Sequence, residues 1–145
     1  MANVFDTAEY ILQHCGAMSA MKLQKLVYYS QAWSLVWDDA PLFQENIEAW
    51  INGPVVPALY QMHKGVFKIY PNSLGGNPDA LSNEQKDTIN AVCNAYSYLN
   101  AQQLSDITHS ETPFINAREN LTPNERGHNT ISLADMSEYY SSLQP

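Results

Sequence analysis

The segment Thr108-His109-Ser110-Glu111-Thr112-Pro113-Phe114 sets a hydroxyl, an imidazole and a carboxylate side by side, the three groups of a hydrolytic relay. Adjacency works against that use. Neighbouring helical residues point about a third of a turn apart and cannot pass a proton to one another. No Gly-x-Ser-x-Gly elbow is present. The pattern reads instead as a helix end, with His109 near the negative pole of the helix. A small hydrolase or transferase using Thr108, His109 and Glu111 stands as the alternative. The remaining histidines are His14, His63 and His128, and none lies at HExxH or paired-cysteine spacing, so no metal is expected. A phosphate-binding glycine loop is missing as well, and no nucleotide or other cofactor is expected. Gly75-Gly76 reads as a bend. Lys22 and Lys25, close to a helix start at Ser19, could meet an anion but read as solvated helix lysines.

Charge narrows the partners. The chain has 145 residues and a formal charge of −8, with only 7 lysines and arginines, and those are scattered. Such a chain repels phosphate backbones, so direct nucleic-acid binding is not expected. No stretch approaches the roughly 18 apolar residues of a membrane span. The N-terminus carries no secretory pattern, and a cytoplasmic location is the default expectation. Cys15 and Cys93 read as small buried hydrophobes, with a disulfide or a reactive thiol as the alternative. The nine tyrosines and three tryptophans either complete a core or face a partner.

The elements that must carry these residues are mostly helical. Asn3 caps a first helix ending at Gly16, with Phe5, Ala8, Ile11, Leu12 and Cys15 at helical spacing. Ser19 caps a second, central helix with an apolar stripe of Leu23, Leu26, Val27, Ser30, Trp33 and Trp37, ended by Asp38, Asp39 and Pro41. Glu45 to Asn52 reads as a strand with Ile47, Ala49 and Ile51 on one side. Gly53-Pro54 breaks that strand, and Pro57 opens a short helix reaching Lys64. The strand needs a partner for its backbone groups, either Pro41–Phe43 or Asn129–Ile131. Val66 to Leu81 reads as loop. Ser82 with Gln85, and Asn100 with Gln103, open two further helices. Pro113 breaks the second of these before a short helical turn from Phe114 to Arg118, and a polar loop runs through residues 119–130. Ser132 caps the last helix, with Ile131 stapled to Met136 and with Leu133, Met136, Tyr140 and Leu143 buried. The expected fold is mainly α (α+β): a single compact helical domain over residues 1–145, with a small two- or three-stranded β element.

Three stretches, KLQKLVYYSQAW, PLFQENIEAWINGPVVPALY and LSDITHSETPFINAR, together resemble the SocA-like, or Panacea, antitoxin domain, also known as the phage-associated GepA-like protein. Phe114 departs from the tryptophan usual in that family. The resemblance implies an antitoxin of a bacterial or prophage toxin–antitoxin system, with a cognate toxin protein as partner and no enzymatic activity. Neutralisation by direct protein–protein binding is the leading expectation. Delivery of the toxin to an ATP-dependent protease is the alternative. Gln24, Lys25, Glu48, Trp50, Gly53, Pro54, Pro57, Thr108, His109 and Glu111 match the motifs as scaffold or as a polar cluster, in which His109 would reach Glu48 or Gln24. Tyr28, Tyr29, Tyr60 and Tyr70 are the candidate partner contacts.

Overall fold

Side-chain caps fix the helix starts. Asn3 Oδ1 accepts from the Asp6 amide at 3.0 Å, and Asp6 Oδ2 accepts from the Asn3 amide at 2.9 Å. Ser19, Ser82, Asn100 and Ser132 each accept from the third residue beyond, an arrangement worth about 1 kcal/mol per cap. The computed structural model describes residues 2–143. In chain order its elements are α1 (Val4–Cys15), β1 (Met18–Ser19), α2 (Ala20–Trp37), β2 (Glu48–Trp50), β3 (Gly53–Val55), α3 (Pro57–His63), β4 (Lys68–Ile69), α4 (Asn83–Tyr96), α5 (Ala101–His109), α6 (Thr112–Ala117) and α7 (Leu133–Ser141). A short 3-10 turn covers Pro78–Ala80.

The second helix is central, but not through a single stripe. It packs against α1, α4, α5, α7 and β3. Neighbours on so many sides bury its polar residues with its apolar ones: Gln24, Lys25, Ser30, Gln31 and Ser34 join Leu23, Leu26 and Val27 in the interior. Lys25, expected in solvent, has 0 % of its surface exposed, whereas Trp37, expected in the core, is 45 % exposed. Trp33 is half-buried, and its indole donates to the Tyr96 hydroxyl at 3.1 Å.

Gly53-Pro54 does not simply end the strand. The chain reverses over Ile51 and Asn52, and β3 pairs antiparallel with β2 in the register Glu48–Val55, Ala49–Pro54, Trp50–Gly53. Proline is accepted because β3 lies at the edge of the hairpin. On its other side β2 meets residues 129–131: the Ala49 amide donates to the Asn129 carbonyl at 2.9 Å, and the Ile131 amide to the Ile47 carbonyl at 2.8 Å. Pro41–Phe43 is not a strand partner. Gln31 holds it instead, accepting from the Leu42 amide at 2.7 Å and donating to the Phe43 carbonyl at 2.9 Å.

A second two-stranded sheet pairs β1, at the start of α2, with β4, which lies within a stretch read as loop. Two-residue strands carry no periodicity for a sequence to display. The chain after it is pinned to α1 by buried carboxylates: Glu9 accepts from the Asn72 amide at 2.9 Å and Asp6 from the Asn77 amide at 2.8 Å. Around α7, Ile131 and Met136 are buried as a staple requires, but Leu133 and Leu143 face solvent. Cys93 is buried and Cys15 half-buried. The Cys93 hydrogen bond and the charge of Lys22 bring the Cys15 thiol down to about 7 against the opposing effect of burial.

Candidate functional site

The three sequence signatures come together around the β2–β3 hairpin, where they do structural work. Lys25 runs from α2 beneath Gly53, and its amine finds no hydrogen-bond partner among the described residues. Burial without a counter-charge lowers its pKa to about 7. A Cβ on Gly53 would stand 3.2 Å from Thr108 Oγ1, so this glycine leaves room for both side chains. Thr108 donates to the Ser105 carbonyl at 2.7 Å, and Ser105 donates to the Asn52 carbonyl at 2.7 Å, tying α5 to the turn of the hairpin. Pro54 is buried within β3, and Pro57 sits at the start of α3, where a missing amide hydrogen costs nothing.

Glu111 is the acceptor of an aromatic cluster. Its Oε1 accepts from Tyr29 at 2.7 Å and from Tyr140 at 2.8 Å, and the Tyr28 and Tyr140 hydroxyls lie 3.0 Å apart. Burial pushes the Glu111 carboxyl above its usual range, and the two tyrosine hydrogen bonds oppose that shift. Tyr28 and Tyr29 are therefore core residues at 1 % and 0 % exposure, which corrects the expectation that they contact a partner. Tyr60 is half-buried, and Tyr70 is exposed beside Lys68.

His109 reaches neither Gln24 nor Glu48. It lies exposed at the end of α5, stacked on Phe114 with 4.6 Å between ring centres. Partial burial there pushes its pKa down. Other histidines take the expected places. Gln24 accepts from the Val56 amide at 2.9 Å and meets His63 Nε2 at 2.9 Å. Glu48 Oε1 accepts from the Trp50 indole at 2.9 Å and lies 3.3 Å from His128 Nδ1. Sequence alone could not pair them, because His63 and His128 lie outside the three motifs.

These contacts floor a groove. Met21, Trp50, Val55 and Tyr60 line both of two adjoining cavities, of about 480 and 340 Å³. The Trp50 and Tyr60 rings meet edge to face at 5.0 Å. The smaller cavity ends at Val66 and Phe67, with Gln24 and His63 at its base. The larger one ends at Lys64, Arg126 and His128. Arg118 had no assigned role in the sequence, yet it is buried and holds the loop at that end. It donates to the Ala49 carbonyl at 3.0 Å, the Thr122 carbonyl at 3.1 Å and the Glu125 carbonyl at 2.6 Å. Its only sequence signal is its place as the last residue of the third signature.

Residues 23–114 match the model of the family described as antitoxin SocA-like, Panacea domain, which is more than half of the chain. No curated protein and no solved structure matches it.

Proposed function

We propose, from the premise that this chain belongs to the SocA-like antitoxin family, Panacea domain, that it neutralises a cognate toxin by direct binding through its outer surface, without making or breaking bonds. The fate of its polar side chains supports this reading. The groups that could have done chemistry are committed to the fold: Glu111 to two tyrosines, Gln24 to Val56 and His63, Thr108 to the α5 backbone. Of the candidate relay members left in solvent, His109 lies against a phenylalanine and the Ser110 hydroxyl donates to the Ile107 carbonyl at 2.7 Å.

Co-expression with the product of the adjacent reading frame tests it. Restored growth, with an intact toxin recovered in complex with this chain, is the expected result. Toxin that disappears from cells in a protease-dependent manner would replace neutralisation with proteolytic delivery. No rescue by any neighbouring product would remove the reading altogether.

A further inference from the structure

The groove beside α3 differs in charge from the rest of the molecule. The chain carries −8 overall, yet the rim of the larger cavity brings together Lys64, Arg126 and His128, and no aspartate or glutamate lines either cavity. Glu48 is already committed to Trp50 and His128, and Glu125, next to Arg126 in the chain, accepts from the Thr122 amide at 3.2 Å. Among the described residues Lys64 and Arg126 have no ion-pair partner. Two of the chain's 7 lysines and arginines thus stand uncompensated at one end of an aromatic trough.

The other end is apolar. Phe67 is 81 % exposed and Val66 51 %, and Met62 on the neighbouring turn of α3 is 55 % exposed. The β1–β4 pairing and the hydrogen bond from the Ala20 amide to the Phe67 carbonyl, at 2.8 Å, fix the backbone that presents them. Exposed apolar groups on an anchored backbone, next to a half-buried Trp–Tyr pair, form a surface that loses water at little conformational cost.

We infer that this groove is where the toxin docks, and that its occupant is a toxin segment placing an apolar side chain over Trp50 and Tyr60 and a carboxylate-bearing stretch against Lys64, Arg126 and His128. The inference rests on the antitoxin reading above and adds the surface and the chemistry of the partner. Local charge outweighs net charge here. At physiological salt the field of a distant carboxylate is screened beyond about 8 Å, whereas a carboxylate seated on the rim lies within that distance of its cations. A nucleic-acid strand could also stack on aromatic rings, but its regular phosphates would extend past the small basic rim onto an acidic surface.

The experiment is a binding titration of the purified chain with the toxin encoded beside it. Arg126→Glu and Lys64→Glu should each weaken binding on the order of tenfold and flatten its salt dependence. Lys86→Glu changes net charge equally but lines neither cavity, and it should bind as the parent does. Phe67→Ser, at an exposed side chain, should also weaken binding. Melting temperatures of all four should match the parent. Undiminished binding by the rim variants and Phe67→Ser, beside a parent that binds and rescues, would overturn the groove and leave the antitoxin reading in place. Equal loss in all three charge variants would also overturn it, since net charge would then explain the effect. Displacement of the toxin by a short single-stranded oligonucleotide would overturn it in favour of nucleic acid. A parent chain that binds no toxin would overturn both readings.

Discussion

Lys25 and Gly53 share one space: a Cβ on the glycine would lie 2.5 Å from the Lys25 Cε. The glycine also has φ of +123°, a conformation that side-chain-bearing residues rarely adopt. Gly53→Ala should therefore destabilise the chain by roughly 2–4 kcal/mol, through a strained backbone and an overpacked site. In a Lys25→Ala background part of that cost should disappear, because the lysine clash is relieved and the backbone strain and the 3.2 Å approach to Thr108 Oγ1 remain. Urea titrations of the two single variants and the double variant give the coupling directly.

The buried amine should make the fold pH-dependent. Its pKa falls from 10.5 to about 7 on burial. Between those values the unfolded chain holds the proton and the folded chain has released it, so raising the pH favours the folded state. Stability from this group should rise from about pH 7 upward. Lys25→Met should remove that rise and stabilise the chain at neutral pH by about 1–3 kcal/mol, the cost of an orphaned buried donor.

Glu111 acts with the opposite slope. Its folded pKa lies above the ordinary 4.5 because of burial. Its stabilising contribution is fully present below that ordinary value and is lost as the pH rises through the folded one. Glu111→Gln keeps an acceptor for the tyrosines and should flatten the decline. Glu111→Leu strands the Tyr29 hydroxyl, leaves Tyr140 with Tyr28 alone, and should cost about 1–3 kcal/mol at every pH. Thermal melts from acid to neutral pH distinguish the two.

His109→Ala removes a stacked, exposed ring. It should cost about 1 kcal/mol or less and leave toxin rescue unchanged. Loss of function with an unchanged melting temperature would reinstate a chemical role for the imidazole.

Arg118→Met should cost roughly 2–4 kcal/mol by releasing three carbonyl acceptors. Faster amide exchange should appear first in residues 119–128, which carry Arg126. Arg118→Lys should recover only part of the loss, because one ammonium cannot reproduce the guanidinium fork.

Much of the helical frame was legible because caps are local. Asn3, Ser19, Ser82, Asn100 and Ser132 announce their helices within four residues, and each is observed as a cap. The site was less legible because its pairings are remote. Gln24 meets His63 across 39 positions and Glu48 meets His128 across 80. The motifs narrowed the polar residues to consider but not their partners, and they drew His109 into a cluster to which it does not belong. Tyr28 and Tyr29 misled for a related reason. Their phenols read as interface until a buried carboxylate 82 positions beyond Tyr29 gives them an acceptor.

Gln24 and Gln31, two turns apart on α2, each grip a length of backbone as a strand would, through an amide that both accepts and donates. Gln24 also meets the histidine at the base of the trough. That contact ties the base of the smaller cavity to the innermost helix, so loosening this end of the trough breaks a buried hydrogen bond of the core. A segment that binds there only in the folded copy would stabilise the fold by mass action and would be lost with it on melting.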